Sequence, residues 1–313
     1  MIKVLFHYEA GPKLLAKLNA LKADGLDVTC CDQSDLGRFE SLLPETDVLW
    51  HVLQPVTPDH IAKASSLKLI QKIGVGVNTI DLDAAQAAGV PVCNMPGTNT
   101  RAVAEMTLLL ILSTLRLQPR LDALCRNGQW IPDEDTRESL QELHGKTVGL
   151  VGFGDIPHLL APILEFMGAK VIYASRSEKD VPYQHVPLET LISQSDIISL
   201  HIPLTGETAH MIGREELARM KQGTILINTA RGGLVDEAAL YDALRSGHLK
   251  SAGLDVFDPE PAKASNPLFQ LDNVIPAPHI AWLTNETFDR SLDVAVANTL
   301  AAVNGQTLRH RVI

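Results

Sequence analysis

The sequence predicts an α/β protein built from two doubly wound parallel-sheet domains. Short β-branched runs alternate with helix-like stretches along the whole chain. Several of these runs are apolar without in–out alternation, the pattern of parallel strands covered by helices on both faces. The chain has 313 residues, about twice the roughly 150 of a typical domain.

In the first third, strands are predicted at Ile2–Phe6, Leu26–Cys30, Val48–Val52, Leu67–Ile73 and Val90–Cys93. The rhythm returns later at Thr147–Val151, Ala169–Ala174, Asp196–Ile202, Thr224–Thr229, Ala252–Phe257 and Asn273–Ile275. Two long helices stand out: Thr98–Leu117, apolar over almost its whole surface, and Asn285–Val303, with Phe288, Leu292, Val296 and Leu300 at helical spacing. Between Leu115 and Lys146 the chain is polar, contains Pro119, Gly128 and Pro132, and reads as irregular or exposed.

Lys146–Ser177 reads as strand, glycine turn, helix, strand. A βαβ unit of this kind holds a pyrophosphate where the turn meets the helix N-terminus. The turn runs Gly152-Phe153-Gly154-Asp155-Ile156-Pro157, so proline stands where the G-x-G-x-x-G fingerprint has its third glycine. The first two glycines serve the tight turn and the close approach of the ligand, while the third serves helix packing, so pyrophosphate binding is expected to survive. Proline is acceptable in a first helical turn. Pro162, two turns in, predicts a kink or a shortened helix.

At the end of the second strand, where NAD-binding units carry an acidic residue for the ribose hydroxyls, this chain has Ser175-Arg176-Ser177. A missing carboxylate and a guanidinium favour a 2′-phosphate, so NADP(H) is expected over NAD(H), with NAD(H) left open.

Three later blocks carry chemistry: Ile227-Asn228-Thr229-Ala230-Arg231-Gly232-Gly233, then Gly253-Leu254-Asp255-Val256-Phe257-Asp258-Pro259-Glu260-Pro261, then Pro278-His279-Ile280-Ala281-Trp282. With Ile73–Asp81, Asn94–Asn99, Ala102–Glu105 and His201–Thr205, they resemble the D-isomer-specific 2-hydroxyacid dehydrogenase family, over roughly residues 70 to 285. The resemblance implies a Rossmann-type NAD(P)-binding domain, residues 99–284, inserted into a flavodoxin-like substrate domain of residues 1–98 and 285–313. It places the reaction in the cleft between these lobes.

It also implies roles that the side-chain chemistry supports. Arg231 clamps a 2-oxo acid carboxylate and polarises its carbonyl. His279 is the general acid in reduction and the base in oxidation, and Glu260 orients it and favours its protonated form. Val75 and Gly76 lie in a loop whose N–H groups meet the substrate carboxylate. Trp282 resembles the aromatic that closes the small pocket of glyoxylate or hydroxypyruvate reductases. Gly152, Gly154, Asp155, Ile156, Ser175, Arg176, Thr107, Pro203, Thr208, Thr229, Ala230, Asp255 and His279 border the cofactor. No metal is required, since Arg231 and His279 supply the electrophilic and acid functions.

Net charge is −10, from 37 acidic and 27 basic side chains. Such a surface repels nucleic acid, and a small anionic substrate then depends on a local cation such as Arg231. Cys30, Cys31, Cys93 and Cys125 fit neither a metal site nor a disulfide framework, consistent with a reducing compartment. No apolar run is long enough to suggest a membrane partner or a signal core, so a cytoplasmic protein is expected. The expected assembly is the homodimer usual in the family.

The expected reaction is reduction of glyoxylate or hydroxypyruvate. The alternatives are a D-lactate or phosphoglycerate dehydrogenase, or a non-catalytic nucleotide-sensing protein on the same scaffold. The loop His51-Val52-Leu53-Gln54-Pro55 has no Arg or Lys cluster for a phosphate, and the complete Arg231, Glu260 and His279 set tells against the sensor.

Overall fold

Five parallel strands form the sheet of a first unit, which comprises Met1–Asn99 and Thr284–Ile313. The computed structural model describes all residues from 1 to 313. The strands β1 (Ile2–His7), β2 (Leu26–Cys30), β3 (Val48–His51), β4 (Leu69–Lys72) and β5 (Val92–Cys93) lie in the order β2-β1-β3-β4-β5. Val4 pairs with Val28 on one side and Val48 on the other. The order reverses at β1, so the connections after β1 and β3 diverge, and sheets of this topology hold ligands at the carboxyl ends of such strands.

Leu5, Phe39, Leu49, Ile70 and Val92 lie in this unit's apolar core. The helix Asn285–Val303 occurs with the predicted bounds. Thr284 caps it by accepting from the Thr287 N–H, and Trp50 Nε1 donates to Thr299 Oγ1 at 3.0 Å, tying the helix to β3.

The second unit is the continuous stretch Thr100–Leu283. Its strands are β6 (Thr147–Val151), β7 (Lys170–Ala174), β8 (Gln184–His185), β9 (Ile197–Leu200), β10 (Thr224–Asn228), β11 (Leu249–Leu254) and β12 (Val274–Pro276). They form a seven-stranded parallel sheet in the order β12-β11-β10-β9-β6-β7-β8. The unalternated apolar runs follow from burial on both faces. In β10, Leu226 enters one core while Ile225 and Ile227 enter the other, beneath the helix Thr100–Arg116.

Three local expectations change, and one strand is added. The Leu115–Lys146 stretch is largely exposed, as expected, but it is not irregular: it holds the helices Gln118–Arg126 and Glu134–Ser139. Pro119 sits in a first helical turn, where its missing N–H costs nothing, and Asp133 caps the second helix by accepting from Thr136 N at 2.7 Å. Pro162 does not shorten its helix, which runs unbroken from Asp155 to Phe166. Both Pro162 and His158, whose carbonyl loses its helical partner, lie on the exposed face where solvent can compensate. The strand expected at Ala252–Phe257 lies at Leu249–Leu254, and Gln184–His185 adds an edge strand too short to leave a sequence signature.

Candidate active site

The carboxyl end of β10 places the first functional side chain. Asn228, its last residue, is 1% exposed, and its side chain holds the following turn from both sides. Its Oδ1 accepts from Ala230 N at 3.0 Å and its Nδ2 donates to Arg231 O at 2.8 Å. Arg231 then opens a tight turn over Gly232–Leu234. Gly232 is obligatory there, since a Cβ would come within 2.1 Å of the Phe257 backbone. Burial pulls the Arg231 guanidinium below its ordinary pKa while Glu260 pushes it back, and the group remains a cation.

The second and third side chains come from the segments after β11 and β12. His279 Nδ1–H donates to Glu260 Oε2 at 2.6 Å, and Glu260 Oε1 accepts from Phe257 N at 2.9 Å. Burial raises the Glu260 carboxyl. The His279 hydrogen bond and charge, the Phe257 N–H and Arg231 outweigh that and hold it below the usual carboxylate range. With Nδ1 committed to Glu260, the nitrogen of His279 left for a substrate is Nε2.

Asp255 shapes the turn that carries His279. Its carboxylate accepts from Ile280 N and Ala281 N, both at 2.9 Å, and its carbonyl accepts from His279 N at 2.7 Å. His279 adopts φ +55, a left-handed conformation that these bonds maintain. Burial raises the Asp255 carboxyl, against the lowering pull of the two N–H groups. Trp282 is buried, and its Nε1 donates to His279 O at 3.1 Å. One unit therefore brings together Arg231, Glu260, His279, Asp255 and Trp282.

The glycine turn of the same unit fits a dinucleotide. Gly152 has φ +95, and a Cβ there would lie 2.5 Å from His201 O, so the protein itself demands this glycine. Gly154 differs: a Cβ there meets nothing within 4 Å, so its bareness leaves room for a ligand. Gly154 is the N-cap of the helix Asp155–Phe166 and no side chain caps it, which leaves first-turn N–H groups, Asp155 and Ile156 included, facing outward. Pro157 is buried in that first turn, where the third fingerprint glycine was expected.

Gly152 N donates to Ala174 O at 2.8 Å, which sets the turn beside the end of β7. There Ser175 Oγ donates to Ser177 O at 2.6 Å, and Arg176 is exposed and makes no ion pair. Thr107 Oγ1 and Thr229 Oγ1 are 3.0 Å apart, both buried. Thr208 Oγ1 donates to Pro203 O at 2.8 Å and steadies the loop after β9.

Val75 and Gly76 lie in the first unit, in the loop after β4. Asn94 Nδ2 donates to Val75 O at 2.9 Å and Met95 N to Gly74 O at 2.8 Å, while the Val75 and Gly76 N–H groups donate to no protein acceptor. Asn228 and Gly232 are the two site-shaping residues that motif reasoning left without a role. Their signal was a lone amide ending a buried strand and a glycine directly after the arginine.

A family model for D-isomer specific 2-hydroxyacid dehydrogenases, NAD binding domain, matches residues 108–281. The chain belongs to this family. Its members are NAD(P)-dependent enzymes acting on the CH–OH group of donors. A hydroxypyruvate reductase of Thermotoga maritima is 42% identical over 271 residues, covering 85% of this chain and 87% of that protein. A D-3-phosphoglycerate dehydrogenase of Mycobacterium tuberculosis is 40% identical over 296 residues, 92% of this chain but 55% of that longer protein. Among solved structures, an NAD-dependent formate dehydrogenase of Staphylococcus aureus in complex with NAD superposes with a TM-score of 0.91 at 28% identity, covering 100% of this chain and 99% of that one. The 2-hydroxyacid dehydrogenase fold therefore extends over both units, and a pyridine nucleotide is the cofactor.

Proposed function

We propose that this 2-hydroxyacid dehydrogenase is an NADP(H)-preferring reductase of small 2-oxo acids, with glyoxylate and hydroxypyruvate as the substrates to be expected. The observation that carries the reading is the 2.6 Å contact of His279 Nδ1 with Glu260 Oε2, in the unit where Arg231 is a half-buried cation. When bound, the coenzyme supplies or takes up the hydride at the substrate's C2.

The protein's own groups do the rest. Arg231 binds the carboxylate and draws electron density from the carbonyl. His279 Nε2 gives its proton to the substrate oxygen in reduction and takes it back in oxidation, while Glu260 stabilises the resulting imidazolium. The free N–H groups of Val75 and Gly76 receive the substrate carboxylate. Gly152, Gly154 and the first turn after them hold the pyrophosphate, Thr107, Pro203, Thr208, Thr229, Ala230 and Asp255 border the rest of the coenzyme, and Trp282 limits the pocket to small acids.

Selection of the 2′-phosphate rests on Ser175 and on Arg176, a guanidinium with no carboxylate partner. Homodimer formation is supported by Leu109, Trp130 and Ile131, apolar side chains left 56%, 85% and 76% exposed along and beyond the helix Thr100–Arg116. No single helix is long and apolar enough to cross a membrane. A panel of glyoxylate, hydroxypyruvate, pyruvate and 3-phosphohydroxypyruvate, each with NADPH and NADH, tests the reading. The highest kcat/KM is expected for one of the first two with NADPH. Coenzyme binding without turnover of any acid would favour the sensor alternative.

A further inference from the structure

The loop that presents the Val75 and Gly76 N–H groups is held at both ends by one buried residue, His51, at one end through its backbone and at the other through its ring. His51 ends β3 and has no exposed surface. Its backbone carbonyl accepts from Ile73 N at 2.7 Å, where the chain leaves β4. Its Nε2 lies 3.1 Å from Thr79 Oγ1, where the loop rejoins the body of the unit. The next carbonyl, Val52 O, accepts from Lys72 Nζ, the last side chain of β4. Val56 N adds a bond to Thr79 O at 2.8 Å.

Burial, reinforced by Lys72 and His7, holds the His51 ring well below its ordinary pKa, so it is neutral and carries one proton. Its Nδ1 is buried without a partner. A buried acceptor without a donor is tolerated better than a buried N–H without an acceptor, so the proton sits on Nε2 and is donated to Thr79. A histidine kept for packing alone gains nothing over a phenylalanine here, because burying the unpaired nitrogen is unfavourable. The Thr79 bond is what the ring adds.

We propose that His51 is a positioning residue for the substrate: with Ile73 held by its backbone carbonyl, its ring fixes the other end of the loop at Thr79 and so sets the place at which the Val75 and Gly76 N–H groups receive the substrate carboxylate. The proposal rests on the assignment of those N–H groups made above. It makes His51 act through the loop, without contact to substrate or coenzyme. The carboxylate is bound before and during hydride transfer alike, so the loss falls on KM for the acid and leaves kcat in place.

Three variants of the full chain, Thr79→Val, His51→Phe and His51→Gln, are assayed with the best acid of the panel and NADPH. Thr79→Val removes only a half-buried hydroxyl and tests the idea even if His51→Phe folds poorly. Thr79→Val and His51→Phe are each expected to raise KM for the acid roughly 5- to 10-fold, the size of one net hydrogen bond, with kcat and the coenzyme KM within about twofold. The Gln variant keeps a donor near Nε2 and should return KM to within about twofold of wild type. An unchanged acid KM in Thr79→Val, or a parallel loss of kcat and coenzyme affinity, overturns the proposal while the functional reading stands. A wild-type protein that turns over no 2-oxo acid overturns both.

Discussion

Asp255 holds His279 in a left-handed turn: its carbonyl takes the His279 N–H at 2.7 Å, and its carboxylate takes the next two N–H groups at 2.9 Å each. An amide in place of the carboxylate keeps one acceptor and turns a donor toward an N–H. Asp255→Asn is expected to cost about 1–3 kcal/mol of stability by urea unfolding, as for a buried N–H left without its acceptor. It should also lower kcat, because the imidazole loses its aim. Unchanged stability would remove Asp255 from this role.

His279→Asn should reduce kcat by roughly 10²- to 10⁴-fold, the range of general acid–base catalysis. Coenzyme affinity, followed by NADPH fluorescence titration, should stay near wild type because the glycine turn is untouched. A variant that still turned over normally would exclude His279 as the acid.

Glu260 lies below its ordinary value of 4.5, so it remains a carboxylate beside the imidazole throughout the neutral range. Glu260→Gln removes that charge, and the reductase activity of the variant should therefore fall off at lower pH than wild type on the alkaline side. The same shift fixes the sign of the acid dependence of folding. A carboxyl lower in the folded than in the unfolded state stabilises above the unfolded value, and this contribution disappears as pH falls through the folded one. Acid unfolding of the Gln variant should lose that component below about pH 4.5.

The two glycines of the cofactor turn should respond oppositely. Gly152→Ala meets the His201 carbonyl in a left-handed backbone and should lower the melting temperature. Gly154→Ala meets nothing in the protein, so stability should hold while the coenzyme dissociation constant rises. Equal effects on both measurements at both positions would contradict a ligand-facing Gly154.

Arg176→Asp should lower kcat/KM for NADPH and raise it for NADH, with a combined change of roughly 100-fold, as for exchanging a charge-assisted bond for a repulsion. Retained NADPH preference in the variant would shift the choice of coenzyme to other residues.

Much of the fold was legible in the chain. Strand positions followed from β-branched runs, since a doubly covered parallel sheet needs apolar side chains on both faces. His279, Glu260 and Arg231 stood out because each lies in a segment that follows a strand, where motif and chemistry coincide. At two places a proline ends no helix. Pro119 and Pro162 both look like breakers, yet one occupies a first turn and the other a solvent-facing position, a distinction that depends on which face the core covers. Asn228 was silent because its work is done through backbone atoms of residues two and three positions on. His51 was silent for the opposite reason: its partner Thr79 is 28 residues away in sequence.

The imidazole, its carboxylate partner, the guanidinium and the dinucleotide turn all belong to the uninterrupted stretch Thr100–Leu283, whereas Val75, Gly76 and His51 belong to the other unit. On the roles proposed above, proton handling and coenzyme choice are encoded apart from part of the apparatus that admits the acid. If Val75 and Gly76 receive the acid as proposed, residues 51–79 can drift, and with them the range of acids accepted, without altering a single group assigned to the proton. An enzyme organised this way can acquire a new substrate through changes in one short segment of its N-terminal third while its acid–base chemistry stays constant.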